Sequence, residues 1–221
     1  MSLRVVLYAE GAGELGRGLA LPPAPGWPLE EERLGPAHVI ARRSLERVRK
    51  VPVQAIQFEQ GKRKRNTNEA RGSDLLRKRT LLDLLAWPRE DMRPEMAIVI
   101  VDEDGLRTRH RELKEWVAEL RYGRPPTVIA VAREEFEAWL ITDRSCVEEE
   151  LGRPLGKAGK PEVWEPKVAK QVLQRAIDES CGSDKARAHA LRRAICERCD
   201  LDVLERGSGS FRCFLEDLKA P

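Results

Sequence analysis

The sequence predicts an α/β fold in which a mostly parallel sheet of about four strands is flanked by helices. Three observations support this prediction. Short, nearly continuous apolar runs are typical of strands that are covered on both faces. These runs alternate with segments of helical period, which is the order that builds a parallel sheet. Beyond residue 166 only helical patterns follow. We therefore expect an α/β domain with loop insertions over residues 1–145 and a helical segment over residues 146–221 packed on it.

Three segments are strongly apolar and are predicted as strands: Leu3–Ala9, Met96–Val101 and Thr127–Ala132. They are rich in β-branched residues and are bounded by charged or turn-forming residues, as strands usually are. Val51–Phe58 is a weaker candidate, because Pro52 confines it to a sheet edge or to a start at Val53.

Helices are predicted between and after the strands, where apolar residues recur on one helical face. These segments are Asp74–Leu85, Arg107–Arg121, Lys167–Ser180, Ser183–Cys199 and Phe211–Leu218. Ser210 is the expected N-cap of the last helix. Leu21–Pro36, with five prolines, and Gly152–Pro166 are predicted as loops.

The distribution of charge is more informative than its total, since 40 Lys and Arg against 37 Asp and Glu leave a formal net charge of +3. Basic residues concentrate in Gly61–Arg79, where eight of nineteen residues are Lys or Arg. Such residues can neutralise the phosphates of nucleic acids. We therefore predict DNA or RNA as a partner; the alternative is a basic, solvated loop. The predicted contacts are Lys62, Arg63, Lys64, Arg65 and Arg71.

The composition also bears on location and on cysteine chemistry. No apolar run reaches the roughly 18–20 residues of a membrane span, and no leader pattern precedes the first strand. A cytoplasmic protein without a membrane partner is expected. The five cysteines are an odd number, which argues against a disulfide framework. Cys196 and Cys199 are more simply explained as reduced thiols than as zinc ligands.

Acidic residues stand at or just beyond the ends of the three strong strands. Successive strands are followed by Glu10 and Glu14, by Asp102 and Asp104, and by Glu135 and Glu137. In an open parallel sheet, ligands bind in the crevice at the carboxyl ends of the strands. Carboxylates gathered there repel one another unless a cation lies between them, and oxygen ligands suit hard divalent ions. The pattern predicts a site for Mg²⁺ or Mn²⁺.

Two of these acidic segments have simpler explanations when each is taken alone. The D-x-D of Asp102 and Asp104 would point both carboxylates to one side of an extended chain, but Asp and Gly also build ordinary turns. Glu135 and Glu137 suit the negatively charged first turn of a helix. The coincidence of three acidic strand ends favours a ligand role for one or both of these glutamates.

The first acidic segment also contains the G-x-G-x-x-G of dinucleotide-binding folds, formed by Gly11, Gly13 and Gly16. Glu10 and Glu14 oppose that interpretation, because they bring negative charge to the place where a pyrophosphate needs a bare helix N-terminus. The prolines that follow also interrupt the long helix that such a unit requires.

Four motifs, taken in order, resemble a known family. They are Glu10-Gly-x-Gly-Glu14, Val101-Asp-x-Asp-Gly105, Glu135-x-Glu137-Ala-Trp-Leu140 and Ser208-x-Ser-Phe-x-x-Phe214. They are similar to motifs of small bacterial Toprim-like proteins, which are distantly similar to overcoming-lysogenization-defect nucleases and to the Toprim domains of primases and topoisomerases. The resemblance implies a Toprim/Rossmann-like sheet. Since such proteins are often encoded beside ATPases of phage-defence type, it also implies a possible partner ATPase.

The resemblance implies roles for individual residues. In Toprim enzymes the glutamate after the first strand, here Glu10, is a metal ligand or general acid/base. The two aspartates, here Asp102 and Asp104, coordinate Mg²⁺. Glu14 matches a further ligand of the nuclease subgroup, and a glutamate after the third strong strand would complete the shell of a second ion. The implied function is metal-dependent hydrolysis of phosphodiesters in DNA or RNA, with Glu10, Asp102 and Asp104 as catalytic residues.

Two other functions stay open at this level. One is a non-catalytic Toprim-like module that binds a nucleotide or a partner ATPase, and the other is a dinucleotide-binding oxidoreductase. The oligomeric state is also open, including a homo-oligomer. Serine-hydrolase chemistry has no support, because the three histidines lie far apart in the sequence and no G-x-S-x-G accompanies them.

Overall fold

The computed structural model describes residues 2–15, 24–62, 72–87 and 89–220. Its strands are β1 (Leu3–Ala9), β2 (Ile56–Glu59), β3 (Met96–Asp102) and β4 (Thr127–Ala132). They form one sheet in the order β2-β1-β3-β4, and every pairing is parallel. The predicted α/β class is therefore confirmed.

The strands follow the apolar runs closely. All seven residues of β3 are buried, as expected for a central strand with helices on both faces. The weak candidate at Val51–Phe58 forms the edge strand β2, but it begins only at Ile56. Residues 53–55 make a 3₁₀ turn directly after Pro52, whose missing N–H and fixed φ suit a turn better than a ladder.

The helices are α1 (Ala12–Leu15), α2 (Pro36–Arg49), α3 (Lys78–Leu85), α4 (Arg109–Glu119), α5 (Phe136–Thr142), α6 (Arg144–Leu151), α7 (Val168–Cys181), α8 (Lys185–Arg198), α9 (Leu201–Gly207) and α10 (Gly209–Lys219). No helix in these described ranges combines the length and the apolar composition needed to cross a lipid bilayer.

Several helix starts differ from the sequence prediction; α3, for example, begins at Lys78 and not at Asp74, since residues 72–74 form a 3₁₀ turn. The predicted loop was expected to run through Pro36, but Pro36 is the first residue of α2, a position that suits proline because its N–H would be unpaired there anyway. The predicted N-cap of α10, Ser210, is wrong. The cap is Ser208, whose hydroxyl accepts a hydrogen bond from the Phe211 N–H at 3.0 Å.

Alternate residues of the strands enter two separate cores, because successive side chains of a strand point to opposite faces. On one face, residues such as Leu7 and Ile98 pack with α2 and with the helices after β4. On the other face, residues such as Tyr8 and Val99 pack with α3 and α4. The helices beyond residue 146 thus share one core with β1, β3 and β4.

An aromatic cluster joins this C-terminal segment to the sheet. The Trp139 ring of α5 stacks on Phe214 at a centroid distance of 5.6 Å and meets Phe211 edge-on at 5.3 Å. Its indole N–H donates to the Ser210 hydroxyl at 2.7 Å. Trp139 is completely buried. Its contacts with Phe211 and Phe214 therefore fix the position of α10 relative to α5.

The motif that begins at Ser208 forms the N-terminus of α10. The carboxylate of Glu162 accepts hydrogen bonds from the Ser208 hydroxyl at 2.6 Å, the Gly209 N–H at 2.8 Å and the Ser210 N–H at 3.0 Å. Burial opposes the charge of Glu162, but these hydrogen bonds outweigh it and lower the pKa of the carboxyl. The motif that begins at Ser208 therefore has a structural role, because it holds the N-terminus of α10 against Glu162.

Trp139→Ala is expected to lower the free energy of unfolding by about 3–5 kcal/mol, the usual cost of truncating a buried aromatic residue. Chemical denaturation followed by circular dichroism measures this change. Trp27→Ala is the matched control, because the Trp27 side chain is 64% exposed and its removal should change stability by less than about 0.5 kcal/mol. Equal losses in the two variants would contradict the assigned core.

Candidate active site at the carboxyl edge of the sheet

The predicted acidic residues lie around the carboxyl edge of the sheet. Glu10 follows β1, and its N–H donates to the Ile100 carbonyl of β3 at 3.1 Å. Asp102 is the last residue of β3 and pairs in register with Ala132, the last residue of β4. Parallel order thus brings the ends of three strands to one place, as the sequence predicts.

A chain of hydrogen bonds fixes two of these carboxylates. Oε2 of Glu10 accepts the Asp102 N–H at 3.1 Å. Oδ1 of Asp102 in turn accepts the Phe136 N–H at 2.8 Å, at the start of α5. The next strand or helix therefore orients each side chain. Because these side chains are already ordered, binding of a ligand costs less conformational entropy.

Gly11, which precedes α1, leaves space for the Glu14 side chain within the site. The Glu14 side chain is only 7% exposed, and its Oε1 lies 2.2 Å from the place where a Cβ on Gly11 would stand. Only glycine leaves room for the carboxylate in this position. Burial, followed by repulsion from Glu137, raises the pKa of Glu14 to about 7.

Asp102 has the most strongly shifted carboxyl group of the site. Its residue is 8% exposed. Burial is the main cause, and repulsion from Glu14 and Glu137 adds to it, so that the pKa of Asp102 rises to about 9. The hydrogen bond from Phe136 opposes this shift without cancelling it. Without a bound cation, Asp102 therefore holds its proton at neutral pH.

The two glutamates after β4 are both buried. Glu135 is the N-cap residue of α5, and its Oε2 accepts the Lys170 N–H of α7 at 2.8 Å. Oε1 of Glu137 lies 3.3 Å from the Arg192 guanidinium of α8. These contacts connect the strand ends to the C-terminal helices.

Asp104 occupies a different environment from Asp102. The expectation for an extended D-x-D was that both carboxylates point to one side, but the backbone turns at Asp104, where φ is 47°, and continues through Gly105 at 74°. The Asp104 side chain is 43% exposed and lies 3.3 Å from the Arg109 guanidinium, which also bonds the Asp102 carbonyl. Asp104 still repels Glu10, so it lies at the rim of the site.

Backbone strain is concentrated near the same edge. Non-glycine residues with positive φ include Asp104, Glu134 at 63° and Lys167 at 69°. Asp104 and Glu134 are each the second residue after a strand, β3 and β4 respectively, and Lys167 is the N-cap residue of α7. Such conformations cost on the order of 1–3 kcal/mol each, and they are often found at functional sites.

Lys170 is the positive charge that sequence reasoning missed. Lys170 is exposed overall, but its ammonium is partly desolvated, which disfavours the charged form. Attraction to Glu137, Asp102, Glu135 and Glu14 together outweighs this desolvation and raises the pKa of Lys170. Its position follows from the packing of α7 against α5. No local motif signals it, because its neighbours in the sequence are ordinary helix residues. Arg192 and Arg109 were missed for the same reason.

The donor chemistry of the cluster fits a hard divalent ion. All of its acidic side chains offer oxygen ligands, and Oε2 of Glu14 and Oε2 of Glu137 are buried without a hydrogen-bond partner. Buried polar atoms of this kind cost free energy unless a partner satisfies them. Within the described ranges, no group of three or more His, Cys, Asp or Glu side chains is placed so that it could already hold a metal ion.

The predicted nucleic-acid contacts fall mostly outside the described residues. This applies to Arg63, Lys64, Arg65 and Arg71. Lys62 is described, and its ammonium donates to the carbonyls of Asp83 and Ala86 at the C-terminal end of α3. In this structure Lys62 therefore stabilises a helix end.

A family model described as "Domain of unknown function (DUF4276)" matches residues 33–219. The matched range contains the turn from Asp102 to Asp104 and Lys170, whereas Glu10 and Glu14 precede it. No curated protein and no solved structure matches the chain.

In the absence of divalent ions, the free energy of unfolding is expected to fall as pH rises from about 4 to about 9. Below this range the carboxyls of Asp102 and Glu14 are protonated in both states. As pH rises, the unfolded chain releases these protons first, because the folded pKa values are about 9 and about 7. Each group can contribute at most about 1.4 kcal/mol per pH unit. Urea denaturation in EDTA at several pH values measures the slope.

Asp102→Asn keeps an oxygen for the Phe136 N–H but cannot ionise, so the variant should show a shallower slope and greater stability at pH 8. Asp83→Asn changes an exposed aspartate on α3 and should leave the slope unchanged. Wild-type stability that rises with pH through this range would contradict the burial of Asp102.

Lys170→Met is expected to destabilise the metal-free protein by about 1 kcal/mol or less, because the residue is exposed to solvent and its charge is screened. The loss should grow above pH 7, where more of the carboxylates are ionised. Thermal denaturation at low and high salt measures both effects. Lys160→Met, at another exposed lysine, is the control. Equal effects of the two substitutions would show that Lys170 does not balance the acidic cluster.

Proposed function

We propose that this chain, which belongs to the DUF4276 domain family, is a nuclease that hydrolyses phosphodiester bonds of DNA or RNA with Mg²⁺ or Mn²⁺. The observation that carries the proposal is the gathering of buried carboxylates at one sheet edge, with two buried oxygens that lack a partner. The resemblance of the motifs to Toprim-like proteins supports the same function. It also supports a partner ATPase of phage-defence type. We propose a cytoplasmic location as well, on the composition of the sequence.

The metal ligands in this proposal are drawn from the side chains of Glu10, Glu14, Asp102, Asp104, Glu135 and Glu137. Bound divalent ions supply Lewis-acid activation of water and stabilisation of the leaving oxygen in such hydrolysis. Attraction to a bound cation would offset the burial, and the added repulsion, that keep Asp102 protonated, so binding should release protons. Metal affinity is therefore expected to increase with pH.

The residues of the chain itself supply position and charge. The Asp102 N–H holds the carboxylate of Glu10, which is the candidate acid or base. Arg109 bonds the turn that carries Asp102 and Asp104 and keeps that turn in place. The ammonium of Lys170 faces the carboxylates and is the candidate group for stabilising negative charge on a bound phosphate.

A non-catalytic binding module is the second candidate function. It is favoured by the backbone hydrogen bonds that Glu10, Asp102 and Glu135 already accept, because such bonds give these carboxylates a structural role. The dinucleotide-binding alternative is less well supported, since the buried carboxylate of Glu14 occupies the space beside Gly11. Gly16 of that fingerprint lies outside the described residues.

The test is cleavage of single- and double-stranded DNA and RNA by the purified protein in Mg²⁺, Mn²⁺ or EDTA. Asp102→Asn and Glu10→Gln should each reduce metal-dependent cleavage by more than about 100-fold, since even residues that only support metal ligands cost 10–100-fold. Glu115→Gln, at a 66% exposed side chain on α4, is the control and should cleave normally.

Measuring both cleavage and stability of each variant distinguishes the loss of a catalytic group from the loss of the fold. Asp102→Asn should cleave poorly and yet be at least as stable as wild type at pH 8. A metal-independent activity, or full activity in both site variants, would contradict the nuclease proposal. Ligand binding without any cleavage would favour the binding module.

A further inference from the structure

A cavity of about 250 Å³ lies between β4, α4 and α10. Its apolar surface is formed by Ile129 and Val131 of β4 and by Phe214 of α10. Its polar lining includes two arginines, Arg107 and Arg133. An apolar surface beside positively charged groups suits a ligand that has both an uncharged ring and an anionic group.

The cavity adjoins the acidic cluster at the end of β3. Asp102 belongs to the cluster, and the next residue, Glu103, lines the cavity. The Glu103 N–H donates to the Ala132 carbonyl at 2.8 Å, which keeps the ends of β3 and β4 together. Arg133 follows Ala132, and its N–H donates to the Ser210 hydroxyl at 3.0 Å. The backbone from Asp102 to Glu103 thus links the acidic cluster to the cavity.

The positive charge of the cavity is only partly neutralised. Arg107 is exposed and forms no ion pair with any residue in the described part of the chain. Arg133 lies 4.0 Å from Glu103, at the outer limit of an ion pair. His110 is already engaged, because its Nε2 lies 3.0 Å from Asp217 and 3.2 Å from the Ile129 carbonyl. Two arginines against one glutamate leave an excess of one positive charge.

We infer that this cavity binds a phosphodiester group of the nucleic-acid strand, together with its sugar, next to the linkage that is cleaved. This inference rests on the proposed nuclease function. The guanidinium groups of Arg107 and Arg133 donate to the phosphate oxygens, for which their planar donor geometry is well suited. The sugar lies against the partly exposed Val131, since Ile129 and Phe214 are each only 1% exposed and form the base of the cavity. A polyanion that approaches an acidic site needs such a cationic contact to offset repulsion.

The experiment compares binding of fluorescently labelled single-stranded DNA and RNA oligonucleotides of one sequence, measured by anisotropy with Ca²⁺ in place of Mg²⁺. Arg107→Gln and Arg133→Gln should each weaken binding by about tenfold. Each should also reduce the slope of log K against log salt by about 0.7, the value for one phosphate contact to a single strand. The two oligonucleotides distinguish a DNA strand from an RNA strand as the source of the phosphodiester.

Two further variants serve as controls. Arg111→Gln removes an exposed arginine of α4 that does not line the cavity and whose ion-pair partner among the described residues is Glu115 at 3.8 Å, so binding should be unchanged. Glu103→Gln removes the negative charge of the lining and should strengthen binding several-fold.

The outcomes separate this inference from the nuclease proposal. If Arg107→Gln and Arg133→Gln bind like wild type, or if wild type binds neither oligonucleotide, the cavity is not the phosphodiester site, whatever the cleavage assay shows. If binding depends on these arginines but wild type cleaves nothing in any metal, the cavity assignment stands and the nuclease function fails.

Discussion

Mutual repulsion among carboxylates at the end of a parallel sheet is the constraint on which the rest of this structure depends. Parallel strands deliver their C-terminal residues to one edge, and here those residues include Glu10, Asp102 and the glutamates that follow β4. Burial increases the cost of ionising them. The raised pKa values of Asp102 and Glu14 are the direct result. Such a site is stable only with bound protons, with cationic side chains, or with a metal ion.

The C-terminal helices supply the cationic side chains. Lys170 on α7 and Arg192 on α8 both act on the glutamates after β4. These helices are held by the core they share with the sheet, where Trp139 packs against α10. The helical segment is therefore part of the candidate site, and an isolated sheet domain would lack its balancing charges.

Two charge environments adjoin each other at the end of β3. Asp102 lies among carboxylates, whereas Glu103, one residue later, faces a cavity with two arginines. Under the proposed function, a nucleic-acid strand would use both: the cationic cavity would hold one phosphodiester, and the acidic cluster would hold the cation that acts on the next. Backbone strain at Asp104 and Glu134 accompanies this division, because the chain must turn sharply after each strand.

The sequence by itself determined the positions of β1, β3 and β4 and the edge at which the acidic residues meet, whereas β2 is shorter than its apolar run. Apolar runs mark buried strands, and parallel order fixes which ends come together, so both follow from local pattern and chain order. Only the tertiary structure decided that Asp104 turns toward Arg109, that Lys170 faces the carboxylates, and that Asp102 is buried deeply enough to hold a proton. These features depend on how helices distant in the sequence pack, and packing is set by the whole core rather than by any local motif.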